Sequence, residues 1–142
     1  MEFWDRGALG DMGCHNQDLA YWALELREPT GVSAKSLGVN NETAPKWSEV
    51  TYQFPKNKRR GAVKLIWYDG GKKLDPALVK QKSPPANGSI IIESKDTLYV
   101  PMYLGPGQLL SGAKTEDFKN VAEFLPKPKD FGSNHYQECT DA

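Results

Sequence analysis

A chain of 142 residues is long enough to bury a core of its own, and its 39% apolar and 25% charged residues are ordinary for a globular protein, which excludes a disordered or fibrous chain. Lys plus Arg and Asp plus Glu number 18 each, so no overall basic field draws the chain to nucleic acid or to an anionic membrane. No apolar run approaches the roughly 20 residues that span a bilayer, and the first residues lack the basic and apolar regions of a signal peptide.

Taken in chain order, the first element is a helix over Asp11 to Leu26, where Met12, Leu19, Ala23 and Leu26 share an apolar stripe and Pro29 stops the pattern. At about 100° per residue, Asp11, His15, Asp18 and Trp22 lie within roughly 60° of one another beside that stripe, on the border where a cleft is expected. Beyond Pro29 the period becomes alternating. "GVSAKSLGV" reads as a strand, then "SEVTYQF" with Val50, Tyr52 and Phe54 on one face, then "AVKLIWY" with Val63, Leu65 and Trp67 on one face. The intervening "KNKRRG" at 56–61 reads as a solvated hairpin loop, with a polyanion site as the alternative, and "DGG" closes the third strand.

"KKLDPALVKQKSPPANG" is an exposed loop with one helical turn. Two short strands follow in "SIIIES" and "TLYVPMYL", joined by "KDT", and a third in "GPGQLLSG". Thr115 is an N-cap candidate for a short helix in "TEDFKNVAEF", ended by the prolines at 126 and 128, and Asn134 with Gln137 has capping-box spacing before "HYQECTDA". Strands that follow one another, rather than alternating with helices, predict one α+β domain over residues 1–142, a mostly antiparallel sheet with helices on one face. Almost nothing precedes the glycine-rich approach to the first helix, and the last segment stops inside a helical pattern, so the chain reads as a fragment.

Asp11 and His15 carry the candidate chemistry. An imidazole exchanges a proton near neutral pH, and a carboxylate one turn away orients it and holds its tautomer; a plain surface pair is the alternative. Asp11, His15 and Asp18 at i, i+4 and i+7 could converge on a cation, but no third strong ligand lies near, and His135 is 120 residues away. Cys14 and Cys139 form no CxxC or Cys/His pattern; Cys14 reads as a small buried residue and no metal site is expected. Gly7, Gly10 and Gly13 give G-x-x-G-x-x-G, which is not the dinucleotide fingerprint and follows no strand; Gly10 and Gly13 suggest close approach of another backbone or a ligand, or plain helix packing. Among Trp4, Trp22, Trp47, Trp67, Tyr68 and Tyr103, flat rings that either stack on a sugar or pack the sheet, Trp22 shares the stripe of Asp11 and His15.

"GALGDMGCHNQDLAYWAL", the "PT" after it, "WSEVTYQFP", "VKLIWYDGGKKL" and "NHYQECTDA" together resemble the C-terminal domain of the glucose-fructose oxidoreductase / inositol dehydrogenase (Gfo/Idh/MocA) family, in its bacterial branch. The resemblance covers nearly the whole chain and is weakest between 74 and 106. It implies a two-domain enzyme: a Rossmann domain, absent from this chain, that binds NAD or NADP, and an α+β domain whose large antiparallel sheet supplies the substrate face and a homo-oligomer contact. In the family a lysine of the missing domain works with an Asp-x-x-x-His pair, which Asp11 and His15 match. His15 is then the general base or acid for a sugar or polyol hydroxyl, and Asp11 orients it or helps bind substrate. Asp18 becomes structural, and Trp22, His135 and Tyr136 form the candidate substrate-binding set. The expected function is the substrate-binding and oligomerisation domain of an NAD(P)-dependent sugar or polyol oxidoreductase, inactive alone and holding no cofactor itself. An NAD-dependent glycosidase domain and a non-catalytic dimerisation or binding module are the alternatives.

Overall fold

The structure is a computed structural model and describes residues 7–79, 85–102 and 107–112. Helix α1 spans Gly7–Ala23, four residues earlier at its start than the periodicity predicts. Its end is set before Pro29 is reached. Glu25 adopts a left-handed φ of 47°, its N–H donates to the Trp22 carbonyl at 3.3 Å, and the Leu26 N–H donates to the Tyr21 carbonyl at 3.0 Å. That pair of bonds is a Schellman motif, which satisfies the last carbonyls and folds Leu26 back into the core, where it is 4% exposed.

Strands β1 (Gly31–Leu37), β2 (Trp47–Phe54) and β3 (Val63–Tyr68) form an antiparallel sheet in that order. Val50 pairs with Trp67, Tyr52 with Leu65 and Phe54 with Val63, so the alternation in both strands delivers all six side chains to one face. α1 covers the Phe54 end of this face: Phe54 clusters with Ala20 and Leu26, with Tyr21, Leu24, Tyr52, Val63 and Leu65 packed around them. The Tyr21 and Phe54 rings meet edge to face, centroids 5.7 Å apart.

Two connections hold the sheet to its surroundings. In the β2–β3 loop, Asn57 Oδ1 accepts from the Arg59 and Arg60 backbone N–H groups at 2.8 and 2.9 Å. This places Arg60 so that its guanidinium donates to the Leu24 carbonyl, to the Glu25 carbonyl at 3.3 Å and to the Pro55 carbonyl at 2.8 Å, while Arg59 pairs with Glu25 at 2.7 Å. The basic run is a hairpin loop, as its sequence predicts, but its arginines cap the C-terminal end of α1, where cations meet the negative end of the helix dipole. At the other end, Asp69 accepts from the Ser48 N–H, from Ser48 Oγ at 2.5 Å and from Trp67 Nε1 at 2.7 Å. The turn that follows needs Gly70: φ is 60°, and a Cβ there would stand 2.0 Å from the Lys46 carbonyl oxygen.

α2 is a single turn, Pro76–Val79, capped by Asp75, which accepts from the Ala77 N–H at 2.9 Å. β4 (Ser89–Ile92), β5 (Thr97–Val100) and β6 (Gln108–Leu109) form a second antiparallel sheet in that order. The α+β class therefore holds, with the described strands divided between two three-stranded sheets. α1 touches the second sheet through β4, where Ser89 Oγ donates to the Asn16 carbonyl.

Candidate functional site

Rotation about α1 decides where the candidate residues lie. With Asp11 at the origin, His15, Asp18 and Trp22 fall within about 40° of it, while Gly13, Ala20 and Leu24 fall about 180° away. Gly13 and Ala20 are buried, and Asp11, Cys14, His15 and Asp18 are exposed, as is Trp22 at 64%. The polar stripe is thus opposite the core rather than on its border. Met12, Leu19 and Ala23, which the sequence pattern makes the core stripe, occupy the flank between the two. The reason lies in the buried face itself, where Gly13, Asn16, Gln17 and Ala20 are small or polar and leave little apolar period to read.

The helix does bring Asp11, His15 and Trp22 together, with Asp11 and His15 about 6 Å apart along the axis and Trp22 two turns beyond His15. Cys14, expected to be buried, is exposed, and its Sγ donates to the Asp11 carbonyl at 3.4 Å. Leu26 is the one member of the expected apolar stripe that reaches the core, and it does so from beyond the helix. His135 and Tyr136 lie outside the described residues, as do Trp4, Tyr103, Cys139 and the segment "TEDFKNVAEF".

Gly10 and Gly13 lie inside α1, and the atoms nearest to a Cβ on Gly13 are side-chain atoms of Leu9 and Gln17 on its own helix. Among the described residues no group of three or more His, Cys, Asp or Glu could hold a metal ion, and no helix is long and apolar enough to cross a membrane.

The sequence pattern missed two features. Arg59 and Arg60 anchor the end of the helix that carries the stripe, and no local signal marks this, since their partners there, two backbone carbonyls and the Glu25 carboxylate, lie more than 30 residues away. Asn16 Oδ1 and Gln17 Nε2 are buried without a hydrogen-bond partner, a polar pair on the inner half of the helix. Burial pushes the Tyr68 phenol up, with Glu49 and Asp75 adding to the shift, and burial with Tyr52 does the same for Tyr21.

No protein-family model matches the chain, and no curated protein matches it.

Proposed function

We propose that this chain is the substrate-facing domain of an NAD(P)-dependent sugar or polyol oxidoreductase of the Gfo/Idh/MocA type, with Asp11 and His15 as its share of the active site. The observation that carries the reading is the placement of Asp11, His15 and Trp22 on one face of α1 that the chain's own core leaves in solvent. A histidine and a carboxylate exposed one turn apart, with an uncovered tryptophan beyond them, are suited to meet a sugar held against a second domain.

The nicotinamide supplies the hydride chemistry when it is bound; this chain's contribution is proton transfer and orientation. His15 takes the proton from the substrate hydroxyl in the oxidative direction and returns it in the reductive one. Asp11, one turn away on the same face, orients the imidazole and sets its tautomer. Trp22 offers a flat apolar surface to a sugar ring. The same sheet that supports α1 is proposed as the contact between copies.

The test is His15→Ala in the protein joined to its nicotinamide-binding domain. Sugar-dependent formation of reduced nicotinamide should fall by about 100-fold or more, the usual worth of a general base, while the melting temperature stays unchanged because His15 is exposed. Wild-type turnover in that variant removes His15 from the mechanism.

A further inference from the structure

Of the asparagines in the chain, Asn87 alone is followed by glycine. A side-chain amide is most open there to attack by the next main-chain nitrogen, because glycine puts no Cβ beside its own N–H. Asn87 is exposed, in the bend that leads into β4. The second sheet itself demands the glycine. Gly88 has a φ of 98°, and a Cβ on it would stand 2.5 Å from the Val100 carbonyl oxygen and 2.9 Å from the Tyr99 ring, so the fold keeps the reactive pair in place.

Side-chain contacts separate Asn87 from its competitors. Asn40 Oδ1 accepts from the Glu42 and Thr43 N–H groups at 2.8 and 2.7 Å, Asn57 Oδ1 accepts from those of Arg59 and Arg60, and Asn16 is locked in α1. Asp69, which also precedes a glycine, has its carboxylate held by Ser48 and Trp67. Among the described residues no donor or acceptor holds the side-chain amide of Asn87. One contact does touch the peptide group that would react. The Tyr99 hydroxyl donates to the Asn87 carbonyl oxygen at 3.2 Å. When the Gly88 N–H gives up its proton, the negative charge spreads onto that same oxygen, so a donor aimed at it stabilises the attacking anion.

We propose that Asn87 is a self-modification site, at which the chain deamidates through a cyclic imide with Gly88 and the Tyr99 hydroxyl promotes the step. The Gly88 nitrogen bonds to Asn87 Cγ, the Cγ–Nδ2 bond breaks, and the Gly88 amide proton passes through water to Nδ2, which leaves as ammonia. Water then opens the imide. Addition at Cγ gives aspartate; addition at the former main-chain carbonyl gives isoaspartate, whose main chain runs through Cβ and Cγ and is one carbon longer. Two residues on, Ser89 Oγ donates to the Asn16 carbonyl and ties β4 to α1. The extra carbon and the new carboxylate just ahead of Ser89 displace that contact, so the modification loosens the joint between helix and second sheet. The proposal is independent of the oxidoreductase reading.

The experiment incubates the folded 142-residue chain in neutral buffer made with heavy-oxygen water, then digests it and maps the peptides by electron-transfer mass spectrometry, which separates isoaspartate from aspartate. Expected is conversion at Asn87 ahead of every other asparagine, to both products, each carrying one heavy oxygen, with no isoaspartate at Asp69. Asn87→Gln should abolish it. Tyr99→Phe, which keeps the ring, should slow conversion several-fold in the folded chain and leave the rate in denaturant unchanged; a hydroxyl that only braced the bend would, when removed, give faster conversion. Amide exchange in β4 and around Asn16 should speed in the converted chain. No conversion at Asn87, faster conversion at another asparagine, aspartate without isoaspartate, an equal or faster folded-state rate in Tyr99→Phe, or unchanged exchange in β4 each overturns the proposal.

Discussion

β1, β2 and β3 run seven, eight and six residues, and β2 and β3 turn one face to the core under α1 while β1 stays largely exposed, whereas β4, β5 and β6 run four, four and two and bury only Val100 deeply. The first sheet is held by apolar packing around Phe54 and by Asp69 at its far end. The second is held chiefly at its turns. Asp96 accepts from the Thr97 N–H at 2.6 Å, from Ser111 Oγ at 2.5 Å and from the Ser111 N–H at 3.2 Å, tying the β4–β5 turn to the end of β6. Gly88 enters β4 with a φ of 98°, where a Cβ would press on the Val100 carbonyl at 2.5 Å. A long strand with one face buried sets its own register, because a one-residue slip would expose every apolar side chain; a strand of two or four residues has too few side chains for that and relies on polar turn contacts.

The largest effect that sharpens this contrast is expected from Phe54→Ala. Phe54 is 2% exposed at the centre of the cluster, and its truncation should cost about 3–5 kcal/mol in denaturant unfolding. A loss below about 1 kcal/mol would show that α1 does not pack there. Next comes Asp69→Ala, which strands the Ser48 N–H, the Ser48 hydroxyl and the Trp67 indole N–H together and should cost roughly 2–3 kcal/mol. Hydrogen exchange should speed first at Ser48 and its neighbours in β2; uniform loosening of both sheets would break the assignment of Asp69 to the first.

The smallest effect belongs to Asp96. The Ser111 hydroxyl, then the Thr97 and Ser111 N–H groups, hold its carboxyl below the usual carboxylate range. A group whose folded pKa is depressed stabilises the fold above its unfolded value, about 3.9, and loses that contribution as pH falls through the folded value. Acidification from pH 5 toward pH 2 should therefore release the Ser111 and Thr97 amides to exchange while the Phe54 cluster stays protected, and Asp96→Asn should remove the pH dependence. Equal protection of Ser111 at both pH values would contradict the role given to Asp96.

Much of this architecture is legible in local pattern. Val50, Tyr52 and Phe54, and Val63, Leu65 and Trp67, share one face as their alternation predicts, because a pleat has a period of two and both strands have a core on one side. A helical turn falls within "KKLDPALVKQKSPPANG" and three short strands follow as predicted, but the segment is not wholly exposed, since Val79 at the end of the turn is buried. The helix is legible as a helix but not in its rotation. Met12 and Leu19 look like its core stripe, yet the face that packs is made of Gly13, Ala20 and Leu24, with Asn16 and Gln17 beside it. Gly and Ala carry almost no hydropathy signal, and Asn and Gln a polar one, so the periodicity locks onto the larger side chains on the flank.

From the sequence by itself came the α+β class, the strand faces, the one-turn spacing of Asp11 and His15, and the hairpin loop at 56–61, all consequences of periods and turn chemistry within a few residues. Only the tertiary structure decided that the strands divide into two sheets, that Asp11, His15 and Trp22 face solvent opposite the core, and that Arg60 caps α1 from a loop 36 residues further along. Those outcomes depend on which distant surfaces meet, and a local period records which side chains share a face without recording what that face will touch.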